Sequence, residues 1–306
     1  MKKSRLILVF GKAGQVGWEL CRSLSAYGKV AALGRDDVDL TDSTAISEII
    51  RTLQPAIIVN AAAYTAVDDA EDNEVMARQI NAIAPGAMAA EAKLIDALLI
   101  HYSTDYVFDG SDATPYTEEM STGPLNIYGE TKLEGEQAIK ISGANYLIFR
   151  TSWVYGVRGQ NFLLTMLRLM AEREVLTVVD DQYGVPTSSR LIAQVTAASV
   201  AQYFTENKVE AFSSGLYHLS ARGETSWYSY AKTIAENLAQ IDGYDGYAIK
   251  EVQPVGGDKY PSKAKRPQYS TMAVDAIEKR FGLQIPPWEE GVKQCMEDAV
   301  SSGVKD

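Results

Sequence analysis

The chain has 306 residues, 46% hydrophobic and 23% charged, which excludes wholesale disorder and collagen-like repetition and suffices for two domains or one domain with a lobe. Lys and Arg number 29 against 40 Asp and Glu, a net charge of −11, and so acidic a chain argues against nucleic acid as a partner. No apolar run approaches the roughly 18 residues of a membrane helix, so no membrane partner is expected. Lys2, Lys3 and Arg5 precede Leu6-Ile7-Leu8-Val9-Phe10 as in a signal peptide, but the run is shorter than an h-region of about 7–15 residues and stops at Gly11-Lys12. Two cysteines, Cys21 and Cys295, cannot supply a disulfide framework and read as thiols of a reducing cytoplasm, the expected location.

Strand and helix signals alternate through the first half, the mark of a parallel α/β sheet. Leu6 to Phe10 is a continuous apolar run and predicts a strand buried on both faces. Val16, Leu20, Leu24 and Tyr27 follow a period near 3.6 and predict a helix. Val30 to Leu33 is the second strand, Ala45 to Leu53 a helix broken by Pro55, and Ala56 to Val59 the third strand. Residues 73–92 read as helical, with Pro85 predicted to kink or restart the helix. Leu98 to Tyr102 is the fourth strand, 129–141 a helix and Tyr146 to Phe149 the fifth strand. Beyond about residue 150 the alternation becomes irregular: 161–172, 188–204 and 226–240 predict helices, and Leu216 to Leu219 a short strand. The stretch 242–270, rich in Gly, Pro, Lys and Tyr, is expected as loops lining a site. A last helix runs from Trp288, with Pro287 placed to begin it. The expectation is a Rossmann-type doubly wound parallel sheet over 1–155, with 188–219 returning to it. A smaller, partly discontinuous substrate-binding lobe is expected from 156–187 and 220–306.

Gly11-Lys12-Ala13-Gly14-Gln15-Val16-Gly17 sits between the first strand and the first helix. A pyrophosphate must approach backbone N–H groups at a helix N-terminus, and side chains at those points would block it. Three glycines alone also suit a plain tight turn, but their place at the opening of a βαβ pattern points to a dinucleotide. The second strand ends Leu33-Gly34-Arg35 rather than in an acid. Glycine leaves room there and Arg35 suits a 2′-phosphate, which favours NADPH, with NADH left open by Asp36 and Asp37. The alternative for Arg35 is a solvated surface arginine.

Tyr128 and Lys132 lie four residues apart at the start of a predicted helix and so share one face. An ammonium ion near a phenol favours the phenolate and lowers its pKa, which suits acid–base work at neutral pH. A second such pair, Tyr228 and Lys232, sits in an aromatic run that reads as a helix face packing the second lobe. Tyr128 instead follows His101-Tyr102-Ser103-Thr104-Asp105-Tyr106, where a buried strand ends in hydroxyl groups, and ligands of open α/β sheets bind at such strand ends.

Several motifs together carry a resemblance. They are the glycine turn, Asn60-Ala61-Ala62-Ala63-Tyr64-Thr65-Ala66-Val67-Asp68, Ser103-Thr104-Asp105-Tyr106-Val107-Phe108-Asp109-Gly110 and Tyr128-Gly129-Glu130-Thr131-Lys132. Arg150-Thr151-Ser152-Trp153-Val154-Tyr155-Gly156, Asp181-Gln182-Tyr183-Gly184-Val185-Pro186-Thr187, Arg266-Pro267 and Trp288-Glu289-Glu290-Gly291-Val292 extend it over nearly the whole chain. The chain resembles the extended short-chain dehydrogenase/reductases, and within them the branch that reduces the C4 ketone of dTDP-4-dehydro-L-rhamnose to dTDP-L-rhamnose with NADPH or NADH.

The resemblance implies that Tyr128 donates a proton to the ketone oxygen as hydride arrives, that Thr104 orients that oxygen, and that Lys132 lowers the tyrosine pKa and holds the nicotinamide ribose. Cofactor positions carried over are Gly11, Gly14, Gln15, Val16, Gly17, Arg35, Asp39, Leu40, Ala63, Tyr64, Thr65 and Tyr102, with Tyr128 and Lys132. Asp39 has the alternative of capping the next turn. Asp105 and Trp153 match positions that contact substrate. Arg266, in the cluster Lys263-Ala264-Lys265-Arg266, either attracts the substrate diphosphate or belongs to a solvated basic face.

A homodimer is expected from the family. Some members bind Mg²⁺ through acidic residues at a dimer interface. Glu19 and Asp298 match two such positions, but Arg190 stands at the third, and an arginine cannot ligate a hard cation, so no metal is expected. Two histidines, His101 and His218, leave no His-rich zinc site and read as structural. Dehydratases of the family carry Asp-Glu after the active-site Thr, whereas Asp105 is followed by Tyr106. The alternatives left open are another nucleotide-sugar ketoreductase and an NADP-binding regulatory subunit of a methionine adenosyltransferase.

Overall fold

The computed structural model describes residues 5–205, 213–241, 246–260 and 262–301; Lys2 and Lys3, and positions 242–245 and 261 of the Gly/Pro-rich stretch, lie outside them. Within β1 (Leu6–Phe10) side chains alternate between two cores, Ile7 and Val9 facing one and Leu8 and Phe10 the other. α1 (Gln15–Ser23) and β2 (Lys29–Leu33) follow. Asp42 caps α2 (Ser43–Leu53) by accepting from the Thr44 and Ala45 N–H groups. After β3 (Ile57–Asn60) and the short α3 (Val67–Ala70), α4 (Glu74–Arg78) passes through a π turn at Gln79–Ile83 into α5 (Ala84–Leu94). Pro85 lies in the first turn of α5, so the proline restarts the helix where its missing N–H costs least. β4 (Leu98–Thr104), α6 (Ile127–Ile141) and β5 (Asn145–Thr151) complete the regular run.

The later chain is shared between the sheet and a second core. β6 (Val154–Tyr155), α7 (Phe162–Glu172), β7 (Val175–Val179), β8 (Tyr183–Gly184) and β9 (Thr187–Ser188) precede α8 (Ser189–Thr205), which packs on α1. β10 (Gly215–His218) then adds to the sheet beside β5. β11 (Thr225–Ser226), α9 (Trp227–Leu238), β12 (Glu251–Val255), α10 (Asp275–Phe281) and α11 (Trp288–Ser301) follow. Leu163, Met170, Val185, Tyr230, Ile234, Val292 and Met296 form the second core, between α7, α9 and α11.

Two expectations need correction. The stretch 242–270 is not loop throughout: Glu251–Val255 pairs in parallel with Val175–Val179. Pro254 demotes such a run in sequence, yet a two-stranded edge tolerates it. Pro287 stands just before α11, bridged to Arg222, instead of opening the helix. Among the described residues no helix is long and apolar enough to cross a membrane.

The sheet order is β10-β5-β4-β3-β1-β2 with every neighbour parallel, so all six strands end on one edge. Strand order reverses between β1 and β3, which opens a crevice at that edge. The glycine turn, the loop after Asn60, Thr104 and the Ser152-Trp153 corner all leave strands there.

Candidate active site

At the β1 end, the Gly11 and Lys12 N–H groups donate to the Leu33 carbonyl at 2.9 and 3.0 Å, which folds the glycine turn against β2. A Cβ on Gly17 would lie 2.0 Å from the Gly11 carbonyl oxygen, so only glycine lets α1 start this close to the strand. Gly14 caps α1 with no side-chain hydrogen bond to its first-turn N–H groups. Gln15 Oε1 accepts from Asn161 Nδ2 at 2.9 Å and ties the turn to the second lobe, while Val16 packs on the core. Beside them Asp37 Oδ2 accepts from Gly34 N at 2.7 Å and from Lys12 Nζ at 2.6 Å, which holds its carboxyl below the ordinary range. Asp37 is therefore committed to a lysine, while Arg35 and Asp36 beside it stand exposed. Asp39 accepts from the Thr41 N–H and hydroxyl at 2.8 Å and closes a turn, with Leu40 half-buried behind it. Ala63, Tyr64 and Thr65 follow β3; buried Asn81 accepts from Tyr64 N at 2.9 Å and donates to its carbonyl at 3.1 Å.

At the β4 end, Asn126 caps α6 by accepting from Gly129 N at 2.8 Å and donates to the Lys265 carbonyl at 2.8 Å. A Cβ on Gly129 would sit 2.2 Å from the Tyr106 carbonyl oxygen. That glycine presses the first turn of α6 onto residues 105–107 and brings Tyr128 beside Thr104 and edge-on to Tyr106, 5.7 Å between centroids. Thr104 Oγ1 donates to Asp105 Oδ1 at 3.0 Å and accepts from Tyr106 N at 3.1 Å. Lys132 Nζ donates to the Tyr102 carbonyl at 2.5 Å and lies 3.3 Å from His101 Nε2. The Tyr102 phenol points the other way, to Thr196 at 2.7 Å, so Tyr102 offers the site its carbonyl alone.

One electrostatic expectation is overturned. Burial pushes the Tyr128 phenol up to about 12, with no lowering from Lys132. A shared helix face does bring the two side chains to one site, but the Lys132 amine is spent on a β4 carbonyl. Its own value falls to about 8 through burial.

Burial also raises Asp105, from an ordinary 3.8 to about 6. A folded-state value above the unfolded one means that ionisation destabilises the fold as pH rises through about 6, by roughly 2–3 kcal/mol, with no penalty below about pH 4. Asp105→Asn keeps an acceptor for Thr104 and removes the ionisation. We expect the variant to unfold at a higher temperature than the parent at about pH 8 and at the same temperature near pH 4. Equal midpoints at both would show that Asp105 ionises without penalty.

Trp153, at a φ of +43°, stacks on Trp227 with centroids 3.4 Å apart and rings 8° from parallel, and both pack against the second core. Arg266 is not a free cation. Asp68 takes its guanidinium at 2.8 and 3.2 Å, Tyr106 bonds it as well, and Lys263 pairs with Asp72. The basic cluster is thus clamped over the first domain by its acids, and Lys265 is left exposed. Tyr228 is half-buried against the second core, and Lys232 pairs with Glu236.

The site also rests on residues to which the sequence assigned no part in it. Glu136 is fully buried and receives Arg150 through two hydrogen bonds, 2.8 and 2.7 Å, with Ser103 donating at 2.6 Å. The available signal was spacing: Tyr128, Lys132 and Glu136 recur every four residues on one face. Asn60, Asn81 and His101 are buried polar groups inside apolar runs, and hydropathy passes over them.

The residues at the implied metal position do not fit Mg²⁺. Glu19, Arg190, Cys295 and Asp298 line one cleft, and the Arg190 guanidinium pairs with Asp298 at 2.7 Å. A fixed positive charge takes up the carboxylate that a hard cation would require.

Comparison with known proteins agrees with this fold. A family model described as the RmlD substrate binding domain matches residues 5–301. A protein of Burkholderia thailandensis named dTDP-4-dehydrorhamnose reductase is 44% identical over 295 residues, covering 96% of this chain and 99% of that protein. One of the same name from Escherichia coli K12 is 44% identical over 296 residues, covering 95% of this chain and 97% of that protein. The crystal structure of dTDP-4-dehydrorhamnose reductase from Bacillus anthracis in complex with NADP superposes with a TM-score of 0.84 at 33% identity, over 96% of this chain and 99% of that one.

Proposed function

Since the chain belongs to the RmlD substrate binding domain family, we propose that it reduces the C4 ketone of dTDP-4-dehydro-L-rhamnose to dTDP-L-rhamnose with NADPH. The observation that carries the reading is Tyr128 in contact with Thr104 at the carboxyl end of β4, on the sheet edge that also bears the uncapped glycine turn. The bound cofactor supplies the hydride. Gly11, Gly14 and Gly17 leave room for its pyrophosphate, Gln15 and Val16 offer N–H groups, and exposed Arg35 with a neutralised Asp37 favours the 2′-phosphate. Ala63, Tyr64 and Thr65 border it, and Lys132 turns to its ribose.

Tyr128 holds the proton that the ketone oxygen receives, and Thr104 orients that oxygen. A phenol at about 12 keeps its proton at neutral pH, so Tyr128 is ready to act as an acid. Trp153 and Asp105 face the sugar, with Arg266 holding the loop over it. In this division of labour residues 1–155 with 188–219 hold the cofactor, and 156–187 with 220–306 the sugar nucleotide.

The test is loss of reduced-nicotinamide absorbance with purified protein and enzymatically prepared dTDP-4-dehydro-L-rhamnose, with identification of dTDP-L-rhamnose as product. Turnover is expected with NADPH, and EDTA is expected to leave the rate unchanged because Arg190 already neutralises Asp298. Cofactor binding without reduction would overturn the substrate assignment. Inhibition by EDTA reversed by Mg²⁺ would overturn the metal-free reading.

A further inference from the structure

The loop that joins β6 to α7 is folded around a side chain of the glycine turn, and the proposed reduction makes no use of that contact. Asn161 caps α7 in the second lobe, its Oδ1 accepting from Leu164 N at 3.0 Å. A backbone N–H can only donate, so the amide oxygen faces the helix and the amide nitrogen faces the loop. That nitrogen donates to the Gly156 carbonyl and to Gln15 Oε1, both at 2.9 Å, with the Arg158 carbonyl further off at 3.4 Å. An amide N–H₂ also only donates, so the Gln15 atom turned to Asn161 must be its oxygen.

Two glycines of the loop make room for the Gln15 side chain. At Gly159, which has a φ of +74°, a Cβ would lie 3.2 Å from Gln15 Cγ, and at Gly156 it would lie 2.4 Å from Ser189 Oγ and 3.7 Å from Gln15 Oε1. Arg158 between them docks the same loop on α1, its guanidinium 4.9 Å from the centre of the Trp18 ring, three residues on from Gln15. With its oxygen held, the Gln15 N–H₂ group is turned away from Asn161 and meets no acceptor among the described residues. It belongs to the first residue of α1, beside N–H groups that Gly14 leaves without a side-chain cap.

We propose that Asn161 is a positioning residue for the cofactor: from the second lobe it fixes the Gln15 carboxamide with its N–H₂ free to donate to the pyrophosphate, beside the helix N–H groups. A diphosphate offers acceptors only, which is the chemistry that this orientation suits. The inference rests on the dinucleotide reading of the glycine turn and not on the identity of the sugar. It makes the substrate lobe a contributor to cofactor affinity.

NADPH titrated into the purified protein and followed by nicotinamide fluorescence tests this without substrate. Asn161→Ser keeps a capping oxygen for α7 and removes the amide without adding a charge, so the Gln15 carboxamide is released. The expected result is a Kd for NADPH about three- to tenfold higher, and Gln15→Leu, which deletes the donor, should raise it by about tenfold. If Asn161 acts through Gln15, the two losses do not add: in the Gln15→Leu background Asn161→Ser should change the Kd by less than about twofold. Adenosine 2′-phosphate, which has no pyrophosphate, should bind the parent and both variants equally. A loss from Asn161→Ser that persists in the Gln15→Leu background, or that extends to adenosine 2′-phosphate, would show that Asn161 only shapes the loop and would overturn the proposal. So would an unchanged NADPH affinity in Gln15→Leu, which decides the matter should Asn161→Ser fail to fold. A parent enzyme that binds no NADPH would instead overturn the dinucleotide reading itself, and the inference with it.

Discussion

Tyr128→Phe lowers kcat for ketone reduction by about 10²–10⁴-fold, the usual worth of a positioned general acid, and leaves NADPH affinity within about twofold. The substitution keeps the aromatic ring edge-on to Tyr106 and removes only the hydroxyl in contact with Thr104. The small binding effect follows because the glycine turn and the β2 end lie on other strands of the sheet edge. Single-turnover mixing with excess enzyme separates the chemical step from product release. Reduction undiminished in Tyr128→Phe, with cofactor still bound, would move the general acid elsewhere; buried Asp105, protonated in part near pH 6, would be the next residue to replace.

Glu136→Ala costs about 3–5 kcal/mol of folding stability, the largest stability effect the site offers. Removing Glu136 strips a buried arginine of its partner: Arg150 sits 2% exposed, over the Phe108 ring at 5.1 Å, away from bulk solvent. The pair joins α6 to β5, and Ser103 extends it to β4, so the loss falls on the wall that carries Lys132 and Thr104. Urea unfolding followed by circular dichroism measures it. The double replacement Glu136→Leu with Arg150→Met should recover much of the loss, because burying two apolar side chains avoids both desolvation penalties. A loss below about 1 kcal/mol in the single variant would show that Arg150 finds solvent or another partner.

Local rules made the regular first half readable. A strand buried on both faces is mostly apolar, and the apolar runs that open β1, β3 and β4 announce these strands. Strand ends were harder. Ser103, Thr104, Arg150 and Thr151 are polar yet lie within the ladder, in the pairs Ser103↔Arg150 and Thr104↔Thr151. Hydropathy stops at the last apolar residue, whereas the ladder continues as long as buried partners satisfy the polar side chains. β12 was missed because a five-residue edge strand containing Pro254 has no local signal, and its existence depends on β7 being beside it.

The sequence by itself determined the doubly wound sheet, the glycine turn at a helix start, the Tyr128–Lys132 spacing and the family. Each of these is written in contiguous residues or a fixed period, which short-range sterics and burial translate directly into structure. Tertiary structure alone decided the charges. Arg266 is claimed by Asp68, 198 positions away in sequence, Asp37 by Lys12 and Asp298 by Arg190. Whether Lys132 faces Tyr128 or a carbonyl and an imidazole on β4 depends on how α6 lies across the sheet. Electrostatic partners are chosen by distance in space and by burial, and neither is a property of any window of sequence.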